Sequence, residues 1–144
     1  MKIEDIKILP CYLAHPPRTE KIEQKEWQYL KSGMLEADIV VDIQGTLIDG
    51  YCWYLLAKKY ELTCVPVRCR RQIIRASHKK GGKMYAWELP ALLIGRVSVG
   101  EKLIVRTSRG IRTVTVAAVE EYNPEQQIEP LRRAIRKKRK GAAA

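Results

Sequence analysis

The stretch LIDGYCWYLLAKKYELTCVPV, residues 47–67, changes its hydrophobic period at a single residue. Leu47, Ile48 and Asp49 continue a strand-like run. After Gly50 the apolar residues Trp53, Leu56, Ala57 and Tyr60 recur at helical spacing, and LTCVPVRC then reads as a strand again. A chain with this pattern has to pass from strand to helix through one glycine and return, which defines a small α/β unit. Such a corner can present the first N–H groups of the helix to an anion. Asp49 argues for the alternative, because a carboxylate there repels phosphate unless a metal intervenes and can itself cap the helix. The residues leave both readings open.

The flanking segments extend the unit. IEDIKIL, residues 3–9, alternates as a strand that ends at Pro10, and HPPR forms a loop. TEKIEQKEWQYLKSG reads as a helix with Thr19 as N-cap, Ile22, Trp27 and Leu30 towards the core, and Gly33 as its stop. DIVVDI and TLID flank Gln44-Gly45 as a hairpin, and Pro66 places the following strand near a sheet edge or its end.

A different pattern follows. Residues 68–83 read as a basic connector or basic helix ending in Gly81-Gly82. MYAWEL, GEKLIVRT and GIRTVTVAAVEEY then give short strands, with a hairpin turn at Ser108-Arg109-Gly110. Alternation puts Leu103, Val105, Val114 and Val116 on a buried face and leaves the other to Lys102, Arg106 and Arg112. Tyr85 and Trp87 share a strand face, either as core or as a stacking platform for single-stranded bases. PLRRAIRKKRKGAAA reads as a short helix running into a disordered tail. The expected class is α+β. An α/β domain with a mixed sheet spans 1–67, a basic connector 68–83, a small antiparallel barrel-like unit 84–123, and a basic helix and tail 124–144.

Charge narrows the function classes. Residues 1–66 carry 8 Lys and Arg against 10 Asp and Glu, and residues 67–144 carry 19 against 6, so the net +11 divides as −2 and +13. That asymmetry points to a polyanionic partner, nucleic acid ahead of an anionic membrane. No apolar run approaches the roughly 20 residues of a membrane-spanning helix. The N-terminal MKIEDIKILP lacks the apolar segment of a secretory signal, so the expected compartment is the cytoplasm. Cys11, Cys52, Cys64 and Cys69 form no C-x-x-C pair and read as small buried hydrophobes. His15 and His78 have no partner at ligand spacing and read as surface or loop residues, so no metal site is expected.

The order of strand, P-R loop, helix, glycine, I-V-V strand, D-G turn, helix and V-P-V strand resembles the ParB/sulfiredoxin-like fold, the ParB N-terminal or ParB-like nuclease domain. IVVDIQGTLIDGY, LLAKKYEL and VPV carry the resemblance over roughly residues 3–67, and Pro17-Arg18 is similar to the family's first box. It implies a nucleotide-phosphate site at the glycine motif formed by Asp49, Gly50 and Tyr51, with Arg18 completing the pocket. It also implies Asp49 as candidate catalytic residue; the binding function requires no cofactor, and a nucleoside triphosphate with a divalent metal belongs to the enzymatic alternative, for which Asp42 is a second candidate carboxylate. The family's arginines after the glycine are replaced here by Tyr51, Cys52 and Trp53. The sulfiredoxin-type reactive cysteine position is Tyr51, which excludes a sulfinic-acid reductase. The β unit is similar to small barrels of phage and mobile-element proteins.

The function read from these features is nucleic-acid binding, DNA favoured, without sequence-specific readout, since no zinc-finger, helix-turn-helix or RRM motif is present. The expected phosphate contacts are Arg68, Arg70, Arg71, Arg75, Lys79, Lys80 and Lys83, then Arg132, Arg133, Arg136, Lys137, Lys138, Arg139 and Lys140. A ParB-like nucleotidase or nuclease at Asp49-Gly50 is the enzymatic alternative, and an inhibitor of a host nucleic-acid machine the third. Homodimerisation or a protein partner stays open.

Overall fold

The computed structural model of the chain describes residues 1–35, 38–126 and 131–138. Contacts divide the chain into two units, Met1–Arg70 and Arg71–Ala144. The class is α+β as expected, with helices and a mixed three-stranded sheet in the first unit and a curled five-stranded antiparallel sheet in the second.

In the first unit a 3-10 turn, Ile3–Asp5, precedes α1 (Pro10–Ala14), α2 (Thr19–Ser32), β1 (Ile39–Val41), β2 (Leu47–Asp49), α3 (Tyr51–Lys59) and β3 (Val67–Cys69). The sheet order is β2-β1-β3, with β1 antiparallel to β2 and parallel to β3, so β3 is an edge strand, consistent with Pro66 just before it. Between β1 and β2 the buried Asp42 accepts hydrogen bonds from the N–H groups of Gln44 and Thr46, both at 2.9 Å, which ties its carboxylate to the hairpin turn. Ile39, Leu47, Trp53, Leu56, Ala57 and Val65 form the core.

The strand expected over residues 3–9 is absent. That segment bonds to two different partners, Ile3 N–H to Thr63 C=O and Lys7 N–H to Gly45 C=O, and the 3-10 turn makes the bend between them. Helix α2 matches its expected length and its Gly33 stop at φ 73°, but the cap is Arg18 and not Thr19. Trp27 and Leu30 are 64% and 63% exposed, contrary to the expected core face. The inward row is Ile22, Glu26 and Tyr29, and at 3.6 residues per turn Leu30 and Trp27 stand about 80° and 140° round from Ile22.

Glu26 tolerates that row because it has partners at the C-terminal end of α3, Lys59 in its last turn and Tyr60 at its C-cap. Its Oε1 accepts hydrogen bonds from Lys59 Nζ at 2.6 Å and from the Tyr60 hydroxyl at 2.5 Å. The Lys59 hydrogen bond, followed by that from Tyr60, holds the Glu26 carboxyl below its ordinary value, and Glu26 raises Lys59 in return. A depressed carboxylate stabilises the fold above its ordinary pKa and loses that contribution as pH falls through the folded value. A raised lysine stabilises below its ordinary pKa and loses it as pH rises through the folded value. The Tm gap between the parent and Glu26→Gln is therefore expected to be widest near neutrality and to close at both the acid and alkaline ends. The gap is modest because the pair meets water. Thermal melts across pH check this, and a gap that persists in acid contradicts it.

The second unit contains β4 (Gln72–Ser77), β5 (Tyr85–Glu88), β6 (Lys102–Thr107), β7 (Gly110–Glu121) and β8 (Ala134–Lys137), ordered β5-β4-β7-β6-β8 with every pairing antiparallel. The sheet curls until its edge strands approach. Glu88 N–H donates to Arg132 C=O at 2.9 Å beside an isolated Glu88–Arg133 bridge. Leu103, Val105, Val114 and Val116 are fully buried, together with Ile74 and Leu89.

Two expectations change here. Residues 68–83 are not a connector or helix, since they hold the end of β3 and all of β4, whose Ile73, Ile74 and Ala76 are buried between β5 and β7. Residues 134–137 form strand β8 and not a helix. The free edge of β6 supplies backbone partners, including Lys102 C=O for Lys138 N–H at 2.9 Å, and tertiary pairing overrides the local preference. Arg139 and Lys140 lie outside the described residues. Among the cysteines Cys52 is buried, whereas Cys64 and Cys69 are exposed, contrary to their expected burial.

Candidate functional site

The hairpin between β6 and β7 builds one wall of a cleft in the second unit. Ser108 and Arg109 form its two-residue turn and Gly110, at φ 98°, takes the left-handed position that closes it. Thr107 fixes the tip, with its Oγ1 donating to Gly110 C=O at 2.6 Å and accepting from Arg109 N–H at 3.2 Å. Arg109 therefore sits on a short, well-braced turn. Arg112 lies opposite Val105 in the β6–β7 register. Cross-strand partners share a face, so Arg112 belongs to the row of Val105 and Val114, not to the opposite face with Lys102 and Arg106 as alternation first suggested.

The other wall comes from β5 and the loop before it. Trp87 is 4% exposed and its indole Nε1–H donates to Arg106 C=O at 2.9 Å, which joins the two walls. Tyr85, two residues earlier on the strand, is 45% exposed. His78 packs edge-on against both rings, with centroid separations of 5.6 Å to Tyr85 and 5.8 Å to Trp87. Together with Leu131 and Arg132 these residues enclose a cleft of about 950 Å³ lined by Arg106, Arg109, Arg112 and Arg132.

Several basic residues outside the cleft are held in ion pairs, although no carboxylate lies within ion-pair distance of Arg96 or Arg136 among the described residues. Arg71 is bidentate to Glu88, Arg75 pairs with Glu120 at 3.1 Å, Lys137 with Glu101 at 3.0 Å, and Arg133 approaches Glu88 at 4.0 Å. Arg68 lies 3.8 Å from Asp38, and Arg70 is also engaged. Among the described residues no carboxylate lies within ion-pair distance of Arg106, Arg109, Arg112 or Arg132. Of the phosphate contacts expected from the sequence, the structure brings only Arg132 into the cleft lining, beside Arg106 and Arg112, which were read only as the polar face of the β unit. Arg109 was read only as part of a turn, and its signal lay in that same turn, since a two-residue hairpin projects its tip residue.

The Asp49-Gly50 corner is a second cavity, of about 430 Å³, in the first unit. Gly50 starts α3 at φ 87°, and a Cβ there would stand 3.0 Å from Asp38 O and 3.1 Å from Ile39 Cα. Close packing against β1 requires the glycine. Asp49 Oδ1 accepts from Gly50 N–H at 2.8 Å and makes no helix cap. Tyr51 packs on Tyr12, ring centroids 5.0 Å apart, and the Tyr12 hydroxyl donates to Ile48 C=O. Lys21 and Lys25 line this cavity with His15, whereas Arg18 is exposed at the start of α2 and is not among its lining residues. Lys25 Nζ lies 5.0 Å from the Trp53 ring centroid. Asp42 is held by the hairpin turn, and among the described residues no three His, Cys, Asp or Glu side chains are placed to share a metal ion.

Among the described residues no helix is long and apolar enough to cross a membrane. Comparison of the chain with protein-family models, curated proteins and solved structures gives no match.

Proposed function

We propose that this protein binds nucleic acid through the cleft of its second unit, with Arg109, Arg112 and Arg132 contacting phosphates. The observation that supports this is the convergence of Arg109, Arg112 and Arg132, without carboxylate partners, on one concave, aromatic-lined surface, while Arg71, Arg75 and Arg133 of the same unit lie in ion pairs. Arginine presents planar donors that suit phosphate oxygens. An acidic peptide would satisfy the charge but would leave the exposed tyrosine face without a role, and this favours a ligand that carries bases. In this reading the first unit, whose motif order resembles the ParB/sulfiredoxin-like fold, organises the protein or meets a partner, and its corner serves packing more than turnover.

Fluorescence anisotropy of labelled DNA across a salt series tests the reading. Three phosphate contacts imply a log–log slope of roughly −2 to −3, from about −0.7 per contact on single strands to −0.9 on duplex. The chain ending at Lys138 is the right truncation for separating the cleft from the basic tail, because a cut at residue 130 removes β8. Binding that survives this truncation with such a slope supports the proposal. Binding without salt dependence, or binding lost with residues 139–144, contradicts it.

A further inference from the structure

We infer that the cleft takes a single strand in preference to a duplex, with one base stacking on Tyr85 beside His78; this rests on the nucleic-acid reading above. The two aromatic residues of β5 have separate roles. Trp87 is buried and hydrogen-bonded to the backbone of Arg106, so it holds the walls of the cleft together and its ring is closed to a ligand. Tyr85 is 45% exposed and lies opposite Ala76 in the β4–β5 register, which holds its backbone on the sheet while His78 packs edge-on at an interplanar angle of 66°.

A duplex offers a protein its phosphates and groove edges, and its base faces are covered by neighbouring bases. An exposed ring recessed among arginines has no counterpart there, whereas an unstacked base supplies both the π-face and the adjoining phosphate. The cleft volume of about 950 Å³ lies at the upper end of the roughly 300–1,000 Å³ of small-ligand pockets, the scale of a short strand segment and not of a duplex cylinder. Lys83 Nζ now lies 5.4 Å from the Tyr85 centroid. An exposed cation–π contact is worth less than a base stack, so a base can displace the lysine and leave its charge for a phosphate.

The test uses the full chain and four labelled probes of equal length: a ten-nucleotide oligo(dT), its RNA counterpart, an abasic ten-mer with the same phosphates, and a duplex. The expected result is that oligo(dT) binds roughly 5- to 150-fold more tightly than the abasic strand, the range for one stacked base. Tyr85→Ala is expected to abolish that difference without changing the salt slope, and Tyr85→Phe to retain it. Equal or tighter binding of the duplex, with no effect of Tyr85→Ala, overturns the single-strand inference while leaving phosphate binding by the arginines intact. Free thymidine monophosphate that competes as well per base as the ten-mer overturns it in favour of a mononucleotide site. Failure of every probe to bind overturns the proposed function as well. A preference between the DNA and RNA strands, in either direction, supports the inference only if the Tyr85 dependence is present in the preferred one.

Discussion

Replacing Arg109 and Arg112 together by alanine is expected to reduce the salt slope of oligonucleotide binding by about 1.5, since each phosphate contact contributes roughly 0.7–0.9. Extrapolated from 1 M salt, where the electrostatic contribution is small, that change lowers affinity about 30-fold at 0.1 M. The informative control is Arg75→Ala with Lys137→Ala, which removes the same formal charge. Those two cations already lie 3.1 Å from Glu120 and 3.0 Å from Glu101, so their loss withdraws no cation from the cleft lining. If long-range net charge governed binding, the two double variants would behave alike. A cleft that grips phosphates separates them, and anisotropy titrations at several salt concentrations show which holds.

Arg71 is the opposite case, an arginine whose removal is expected to damage stability and spare binding. Its guanidinium donates to both oxygens of Glu88, at 2.6 and 3.1 Å, and lies 3.8 Å from the Tyr122 ring centroid. The Glu88 side chain is only 7% exposed, so Arg71→Ala leaves a nearly buried carboxylate with Arg133 at 4.0 Å as its remaining cation. The expected cost is about 2–4 kcal/mol. For a domain of this size that corresponds to a fall in Tm on the order of 10–20 °C. Replacing both partners, Arg71→Met with Glu88→Leu, is expected to recover much of the loss because no unpaired charge then remains. Below the lowered transition the single variant keeps the parent's salt slope. Thermal melts of both variants with anisotropy at low temperature check the pair, and a changed slope would place Arg71 among the phosphate contacts.

These two sets of arginines show where sequence reading reaches its limit. The period change at Gly50, the Gln44-Gly45 hairpin, the stop at Gly33 and the alternation of Leu103, Val105, Val114 and Val116 were all legible, because each is a local pattern that dictates a backbone path. Whether an arginine is free or paired is decided by partners far along the chain: Glu88 is 17 residues from Arg71, and Glu120 is 45 from Arg75. Density of basic residues therefore pointed to residues 68–83 and 132–140, while two of the three unpaired arginines proposed to hold phosphates, Arg109 and Arg112, are in the β6–β7 hairpin, where arginines are fewer. The same limit explains α2. Its inward row passes through Glu26, a charged residue that no hydrophobic pattern selects, and its Trp27 and Leu30 were misread as core for that reason. Strand β8 was illegible because its conformation is imposed by the free edge of β6.

The most direct measurement of the central claim is a nitrogen-15 amide titration of the full chain with an unlabelled ten-nucleotide strand. The account predicts that the largest shifts fall on residues 85–87, 106–112 and 131–132, around the cleft, with residues 20–31 of α2 unmoved. Shifts confined to residues 139–144, or centred on the corner at residues 49–53, would contradict it.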